Sequence, residues 1–478
     1  MRRASSVCIR VVWRASVASA SLWLLTASAA PADTLKGALT QAYQNNPQLN
    51  AQRASVRATD ETVPQALSGY RPRVSLTANV AEQYLDILTR TTARSGSAVT
   101  TTYNSTSGAT ALQTYGGTVT QTLLNGHATA SRTRQAERLV SAARETLRLS
   151  EQAVLLSAAT AYMNLIRDAA ILTLQRSNVE VLQEQLRQVR DRFNVGEVTR
   201  TDVAQSESRL AASRATMLTA ESNYTTSRST YRQVIGVEPG TLAPASPVDR
   251  LSPQTLSQSI AEARTRHPAV TVAMFSIDAA VMQVKIAESS LYPTLNMVGS
   301  AQKGYGSATS LTTIESFAGS IAGQLTIPVY QGGTEYATIR QAKETLGQRR
   351  MDLDTARDAQ QQFAVSWWGQ LEAAKAQIQA TTTQVNTAEI ALNGVREEAR
   401  VGQRTTLDVL NAQQELVNAR VALVTAQRDR VVASYTMLAA VGRLAPQVLE
   451  LNVPIYNPAV HYHQVRDTWV GVRTPDGK

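Results

Sequence analysis

The sequence has little of what stabilises a compact globular core. Its single cysteine is Cys8, and aromatic residues make up only 5% of the 478 residues, with four Phe. Because Cys8 lies in a segment that we expect to be removed, the mature chain should have no disulfide, reactive thiolate or lipidated N-terminal cysteine. Small side chains such as Ala, Ser and Thr suit helices that pack closely over long distances.

Long hydrophobic runs are scarce as well. Residues 1–32 combine four arginines, an apolar run and the A-x-A pattern of Ala30-Pro31-Ala32, which together predict a secretory signal peptide. Beyond it we find no window of about 18 apolar residues, which argues against a transmembrane helix. A chain that crosses a membrane without such a helix must do so as a closed β-barrel.

Clustered positive charge is also missing, although the formal net charge is +10. Four of the arginines belong to the predicted signal peptide, and the other basic residues are interspersed with Asp and Glu along helical stretches. This distribution is typical of a solvated helix face. We therefore expect no nucleic-acid partner.

Motifs for catalysis or metal binding are absent from the sequence pattern. There is neither a nucleophile elbow nor a carboxylate pair in a catalytic setting, so we expect no enzymatic activity and no cofactor. His461 and His463 could form a metal pair on an extended tail. Since no third ligand is nearby in the sequence, a pair of surface histidines is the better interpretation.

What the sequence does contain is one unit written twice. The pattern Leu35-x3-Leu39-x2-Ala42-x4-Pro47 recurs as Leu256-x3-Ile260-x2-Ala263-x4-Pro268. A second pair of related segments, around Gly196 and Gly402, reads Val-Gly-Glu-Val-Thr-Arg-Thr-Asp-Val and Val-Gly-Gln-Arg-Thr-Thr-Leu-Asp-Val. Each segment follows a very long helical stretch and precedes a shorter one, so each predicts the tip of a helical hairpin.

The repeat predicts the organisation of the chain. Repeat 1 covers 33–236 and repeat 2 covers 253–442, with a Pro-rich linker at 237–252 and a C-terminal segment at 443–478. From the change of hydrophobic period we expect strands over about 73–124 and 294–330, and long helices over about 127–195, 199–235, 333–401 and 405–441.

The first long helix should pack on two sides. Residues 127–195 contain neither Gly nor Pro, and a helix of that length would be on the order of 100 Å long. Two neighbouring heptad seams run along it, one with Val140, Leu147 and Val154 and the other with Leu139 and Ala142. Two seams suit the wall of a helical tube, whereas a single broad stripe buried in a bundle is the alternative.

The strands should be short and amphipathic. Val74, Leu76 and Val80 alternate with polar residues, and residues 317–329 alternate in the same way, so each repeat should supply two strands of about ten residues. We interpret the Ser/Thr-rich run from Thr89 to Thr114 as an exposed loop. Four strands cannot close a barrel, so association is required, and three chains would supply twelve strands. Residues 451–456 could add another strand at the waist of the tube.

These residues resemble the TolC family of outer-membrane efflux and secretion proteins. The resemblance rests on the doubled unit, Asn46-Pro47, Leu291-Tyr-Pro293, the Pro328-Val-Tyr-Gln-Gly-Gly333 segment, and Val401-Gly-x-Arg404-Thr405-x-x-Asp408. It spans nearly all of the chain after the predicted signal peptide.

The resemblance implies an α+β membrane protein located in the cell outer membrane, with a large periplasmic portion. It implies a homotrimer in which a 12-stranded β-barrel continues into a periplasmic α-helical barrel that tapers shut. A periplasmic adaptor protein and an inner-membrane RND or ABC transporter would open this passive duct for multidrug efflux or type I protein secretion. A secreted periplasmic coiled-coil scaffold or adhesin without channel activity is the alternative.

The resemblance also assigns a periplasmic gate to the tips. Asp202, beside Thr201, would be the acidic partner of Arg404, and Asp408 would form a ring of three carboxylates around the pore. Asn411 stands where secretion-type relatives carry a second Asp, which weakens the ring. Gly196 and Gly402 would form the turns. Local capping is the alternative interpretation, because Thr199-x-x-Asp202 and Thr405-x-x-Asp408 both fit a capping box.

Overall fold

The computed structural model describes residues 34–306, 315–475 and 477. The predicted signal peptide at 1–32 lies outside the described residues, and so does the last residue of the tail, Lys478. Each repeat runs through helices, two strands and a long helical hairpin. In repeat 1 these are α1 (Leu35–Asn45), α2 (Pro47–Asp60), α3 (Thr62–Leu67), β1 (Arg73–Ser95), β2 (Ala98–Asn125), α4 (Ala128–Asn194) and α5 (Arg200–Ile235).

Repeat 2 follows the same order, and a short helix is added after it. Its elements are α6 (Leu256–Arg266), α7 (Pro268–Glu288), β3 (Thr294–Tyr305), β4 (Glu315–Thr326), α8 (Thr334–Arg400), α9 (Thr406–Ala440) and then α10 (Pro458–Val465). The two longest helices, α4 and α8, have 67 residues each.

The same local device starts the second helix of each repeat. Asn46 precedes Pro47, and its side-chain oxygen accepts hydrogen bonds from the backbone N–H groups of Gln48 and Leu49. His267 precedes Pro268, and its Nδ1 accepts from the backbone N–H of Ala269 at 3.2 Å. Proline fits the first helical position because the N–H it lacks would have no partner within the helix. The repeated X-Pro pair therefore ends one helix and caps the next.

The two predicted seams on α4 are covered to different extents within a single chain. Val140, Leu147 and Val154 of the first seam are 1%, 3% and 4% exposed. In the second seam Ala142 is buried, whereas Leu139 is 44% exposed and Ala153 is exposed as well. One chain therefore leaves an interrupted strip on α4, which includes Leu139 and Ala153, open to solvent.

The four strands form one antiparallel sheet in the order β1-β2-β3-β4. The interpretation of Thr89 to Thr114 as a loop is wrong, because β1 and β2 have 23 and 28 residues and pair along their whole shared length. They reverse at a turn where Gly96 has φ of 62°. A run rich in Thr is polar like a loop, but Thr is β-branched and favours strands. The expected length of about ten residues suits only β3 and β4, with 12 each.

The register gives the sheet two chemically different faces. Leu76 pairs with Gly117, Gly299 with Ile321 and Lys303 with Phe317. Leu76, Ile321 and Phe317 are 85%, 84% and 74% exposed. The opposite face is polar and includes the Ser300 and Ser320 hydroxyls, 2.9 Å apart. One face thus suits lipid and the other suits water.

The main hydrophobic core lies at the waist, where the tail crosses the helices. Tyr43, Tyr162 and Tyr231 are at most 1% exposed there, together with Leu444. The strand expected at 451–456 is wrong, since this segment has no ladder pairing. The Val453 N–H instead bonds to the Leu451 carbonyl in a tight turn, and the following Pro454 has no N–H to donate.

One helical segment does pass a length and composition test for a membrane span, which corrects the expectation of none. Within Leu256–Leu291, an 18-residue window has a mean hydropathy of 1.5, and 11% of that window is buried. The segment is interrupted at Pro268, and the Asp278 carboxylate of α7 lies 3.6 Å from the Arg138 guanidinium of α4. α7 packs beside two long helices, α4 and α8.

We predict that His267 makes folding stability sensitive to acid. Burial lowers the pKa of His267 from 6.5 to about 4, so the folded chain keeps the imidazole neutral. The contribution of the neutral His267 to the free energy of unfolding is fully present above pH 6.5. As the pH falls toward 4, the unfolded chain gains a proton at His267 that the folded chain does not, and the free energy of unfolding decreases by up to about 3 kcal/mol per chain. His267→Asn, which copies Asn46-Pro47, should keep the cap and lose this dependence.

The measurement is the thermal unfolding midpoint of both proteins in detergent between pH 7.5 and about 4. Carboxylates elsewhere titrate equally in the two proteins, so the difference between them isolates His267. Parallel curves over the whole range would contradict the prediction.

Candidate functional site

The candidate site is the pair of hairpin tips, where α4 turns into α5 and α8 into α9. Gly196 and Gly402 have φ of 79° and 80°, a left-handed conformation that other residues adopt only at a cost. The N–H of the residue after each glycine closes the turn, from Glu197 to the Arg192 carbonyl and from Gln403 to the Glu398 carbonyl, both at 2.9 Å. The two tips therefore share one backbone geometry.

Both predicted gate carboxylates act as helix caps. Asp202 Oδ2 accepts from the Thr199 N–H at 2.9 Å and from its hydroxyl at 2.7 Å. Asp408 Oδ2 accepts from the Thr405 N–H at 3.0 Å and from its hydroxyl at 2.9 Å. These bonds lower the pKa of both carboxyls, chiefly through the Thr199 side chain for Asp202 and the Thr405 backbone for Asp408. Thr201 lies exposed in the first turn of α5.

Arg404 has a partner in its own hairpin, Glu398, whereas the resemblance assigned it Asp202 across the tip. Its Nε lies 2.8 Å from Glu398 Oε2, at the end of the preceding helix. At the first tip, Arg192 Nη2 bonds to Glu197 Oε1 at 2.8 Å. The sequence pattern missed these pairs because the two residues are five or six positions apart, across a turn rather than along a helix.

Asp202 and Arg404 nevertheless face one shared groove. This groove, of about 890 Å³, lies between the two tips. The first hairpin contributes the acidic side chains of Glu180, Glu184 and Asp202, with Arg192, and the second contributes Arg396, Arg400 and Arg404. Opposite charges therefore line opposite walls, although Asp202 and Arg404 are each bonded within their own tip.

Asn411 joins the two hairpins directly. Its Oδ1 accepts a hydrogen bond of 2.7 Å from Arg209 Nη2 of α5. The sequence assigned Asn411 to the gate but offered no partner for it. Beneath this contact, Leu410 of α9 is buried against Leu182 and Leu210 of the first hairpin.

A buried polar chain further from the tips connects all four long helices. Asn178 of α4 donates to the Ser213 hydroxyl of α5 at 3.0 Å, and Gln413 of α9 lies 3.5 Å from Asn178 Oδ1. Arg396 of α8 donates to Gln413 Oε1 at 2.9 Å. Asn178, Ser213 and Gln413 are 4%, 5% and 7% exposed. These residues are polar positions on helix faces that are otherwise apolar, which is the signal in the sequence that could have identified them.

The described residues hold no group of three or more His, Cys, Asp or Glu that could bind a metal. His461 and His463, expected on an extended tail, instead lie on α10. His461 Nδ1 lies 3.0 Å from the buried carboxylate of Asp60.

The chain is duplicated, its four-stranded sheet is amphipathic, and each helical hairpin contains one helix of 67 residues. These features define an outer-membrane channel protein with a long periplasmic portion. The chain belongs to the outer membrane efflux protein family, whose model matches residues 38–237 and 259–443. The resemblance to the TolC family is thereby confirmed. Members of this family work with adaptors and inner-membrane transporters in efflux and secretion.

Individual relatives agree with this assignment. The chain is 41% identical over 461 residues to the outer membrane efflux protein BepC of Brucella suis biovar 1 (strain 1330), which covers 95% of each chain. It is 28% identical over 327 residues to the outer membrane protein TolC of Escherichia coli (strain K12), and this match covers 66% of each chain. The crystal structure of VceC from Vibrio cholerae has the same fold, with a TM-score of 0.67 and 20% identity over 85% of this chain and 96% of that one.

We predict that two adjacent glutamines of α9 differ in their importance. Gln413→Ala should lower the free energy of unfolding by about 1 to 3 kcal/mol, because it leaves the buried Asn178 without one partner. Gln414 bonds to Asn418 of its own helix, so Gln414→Ala should change it by less than about 0.5 kcal/mol. Denaturant unfolding followed by circular dichroism tests this. If Gln413→Ala changes the free energy of unfolding as little as Gln414→Ala does, the buried polar chain does not stabilise the fold.

Proposed function

We propose that three copies of this chain form a passive exit duct across the outer membrane and the periplasm, which performs no chemistry of its own. The observation that carries the proposal is the sheet, which has one apolar face, one polar face and two edge strands, β1 and β4. Among the described residues, each of these strands is paired on its inner side and has no neighbour on its outer side. A sheet edge cannot be left open in lipid. Three copies would supply twelve strands and close the ring.

The helices support the same assembly. The open strip on α4, with Leu139 and Ala153, would be covered by a helix of the next copy. Small side chains allow such helices to approach closely. Six hairpins would then form the periplasmic wall of the duct.

The tips are proposed as its closed end. The hydrogen bond between Arg209 and Asn411 joins the two hairpins, while Arg404 and Asp202 line the same groove. Exposed polar contacts of this kind contribute about 0 to 1 kcal/mol each. A gate held by such contacts can be opened by a periplasmic adaptor that binds the open state more tightly. Thr201 and Asp408 would line the same constriction, with Gly196 and Gly402 as its turns.

The inner-membrane partner, an RND or ABC transporter, would select the cargo. The duct sequence alone does not separate drug efflux from type I protein secretion. A deletion strain assayed for drug sensitivity and for missing secreted proteins distinguishes them. A secreted scaffold or adhesin, the alternative class, would be released from membranes by a carbonate wash, whereas a barrel requires detergent.

We predict that weakening the contact between hairpins opens the channel. In a planar bilayer the native protein should show a small conductance, and Arg209→Ala should raise it because the bond to Asn411 is lost. Arg404→Ala should also raise it if Arg404 is drawn toward Asp202. Arg214→Ala removes an exposed arginine from the same helix and is the matched control.

An unchanged conductance in Arg209→Ala and Arg404→Ala would contradict the gate. An equal increase in Arg214→Ala would show that lost positive charge, rather than lost contact, changes the current. Failure of the native protein to insert, where a control porin inserts, would contradict the channel itself.

A further inference from the structure

The C-terminal segment climbs along the molecule toward the sheet. His461 of α10 bonds to Asp60 at the level of Arg144, which is about 24 Å along α4 from its first residue. Arg466 Nη2 then lies 3.8 Å from Glu137 Oε1, about 14 Å along the same helix. The segment therefore approaches the end of α4 where the strands begin.

Arg71 holds Thr468 and Trp469 at the base of the strands. Its Nη1 donates to the Thr468 carbonyl at 2.7 Å, and its guanidinium lies 4.7 Å from the centre of the Trp469 ring. Arg71 stands two residues before β1 begins at Arg73. Trp469 is thus held at the edge where the apolar face of the sheet starts.

Beyond this point the segment exposes apolar side chains. Trp469, Val470 and Val472 are 66%, 88% and 100% exposed, and Arg473 follows them. Other exposed aromatic residues surround the base of the same sheet, namely Tyr70, Tyr292 and Tyr330 at 53%, 56% and 78%. Trp and Tyr concentrate where the hydrocarbon of a bilayer meets its polar headgroups.

We propose that Trp469–Arg473 is a membrane-interface anchor that inserts into the periplasmic leaflet of the outer membrane. Trp469, Val470 and Val472 would enter the boundary between headgroups and acyl chains, and Arg71 and Arg473 would face lipid phosphates. Such a segment gains free energy from its apolar area and from attraction to anionic headgroups. The salt bridges and the Arg71 contacts below it hold it at the correct height.

Lipid fits this position better than a second copy of the chain does. Its residues match an interface in both type and order, with the aromatic ring nearest the barrel and a basic residue after the valines. The apolar sheet face that begins beside it is itself a lipid-facing surface. Covering by another copy is the competing outcome.

Tryptophan fluorescence tests the anchor in the full exported chain. Trp367→Phe with Trp368→Phe leaves Trp469 as the reporter, since the two other tryptophans, Trp13 and Trp23, lie in the predicted signal peptide. The protein is placed in phospholipid vesicles whose acyl chains carry bromine either near the headgroup or near the bilayer centre. We expect blue-shifted emission, strong quenching by the shallow bromines and weaker quenching by the deep ones.

The matched control is Trp469→Phe, which retains Trp367 and Trp368. These lie about 50 Å along α8 from its start, so bromine should leave their emission unchanged. If the double substitution impairs folding, the emission of Trp469 and its quenching by bromine are obtained as the difference between the native protein and Trp469→Phe.

Two results would overturn the proposal. Emission typical of water without quenching would place Trp469 in solvent. Blue-shifted emission without quenching would mean that another copy covers it. Neither result depends on conductance, so this test is independent of the proposed gate.

Discussion

Unpaired backbone at the two edges of the sheet is the constraint on which the rest of the structure depends. Within lipid each unsatisfied N–H or carbonyl costs several kcal/mol, and β1 and β4 each present a row of them. The apolar face of the sheet also needs to be removed from water, because Leu76 and Ile321 are more than four-fifths exposed. In the proposed assembly a single chain is a segment of a larger ring. Leu139 and Ala153, which are exposed on α4, extend the same incompleteness into the helices.

Much of this could be predicted from the sequence because duplication is visible without any structure. The repeated X-Pro caps and the two glycine tips mark where helices must start and end, and the period of two marks the strands. The Thr-rich run from Thr89 to Thr114 was misinterpreted because polarity was weighed above the β-propensity of threonine. The extended tail was also wrong, since α10 is held by residues far from it in sequence, with His461 bonded to Asp60 and Arg466 close to Glu137.

The tips illustrate what a single sequence cannot resolve. Both capping boxes were visible as Thr-x-x-Asp, and both are formed. The partner of Arg404 was not predictable, because the sequence offers acidic residues in both hairpins, Glu398 and Asp202, and only geometry chooses between them. Arg209 was missed altogether, since nothing in its local pattern points across to Asn411. Capping and gating are compatible, as a carboxylate that caps a helix still contributes its charge to the groove.

The most direct test of the account is a cysteine crosslink between the edge strands of neighbouring copies. With Cys8 in the predicted signal peptide, the exported chain provides a background free of other thiols. One cysteine at Leu76 of β1 is combined with single cysteines scanned along β4, and the protein is oxidised in outer membranes. The account predicts crosslinked species of two and three chains and none larger. A ladder that continues beyond three chains, or no crosslink at any position of β4, would contradict it.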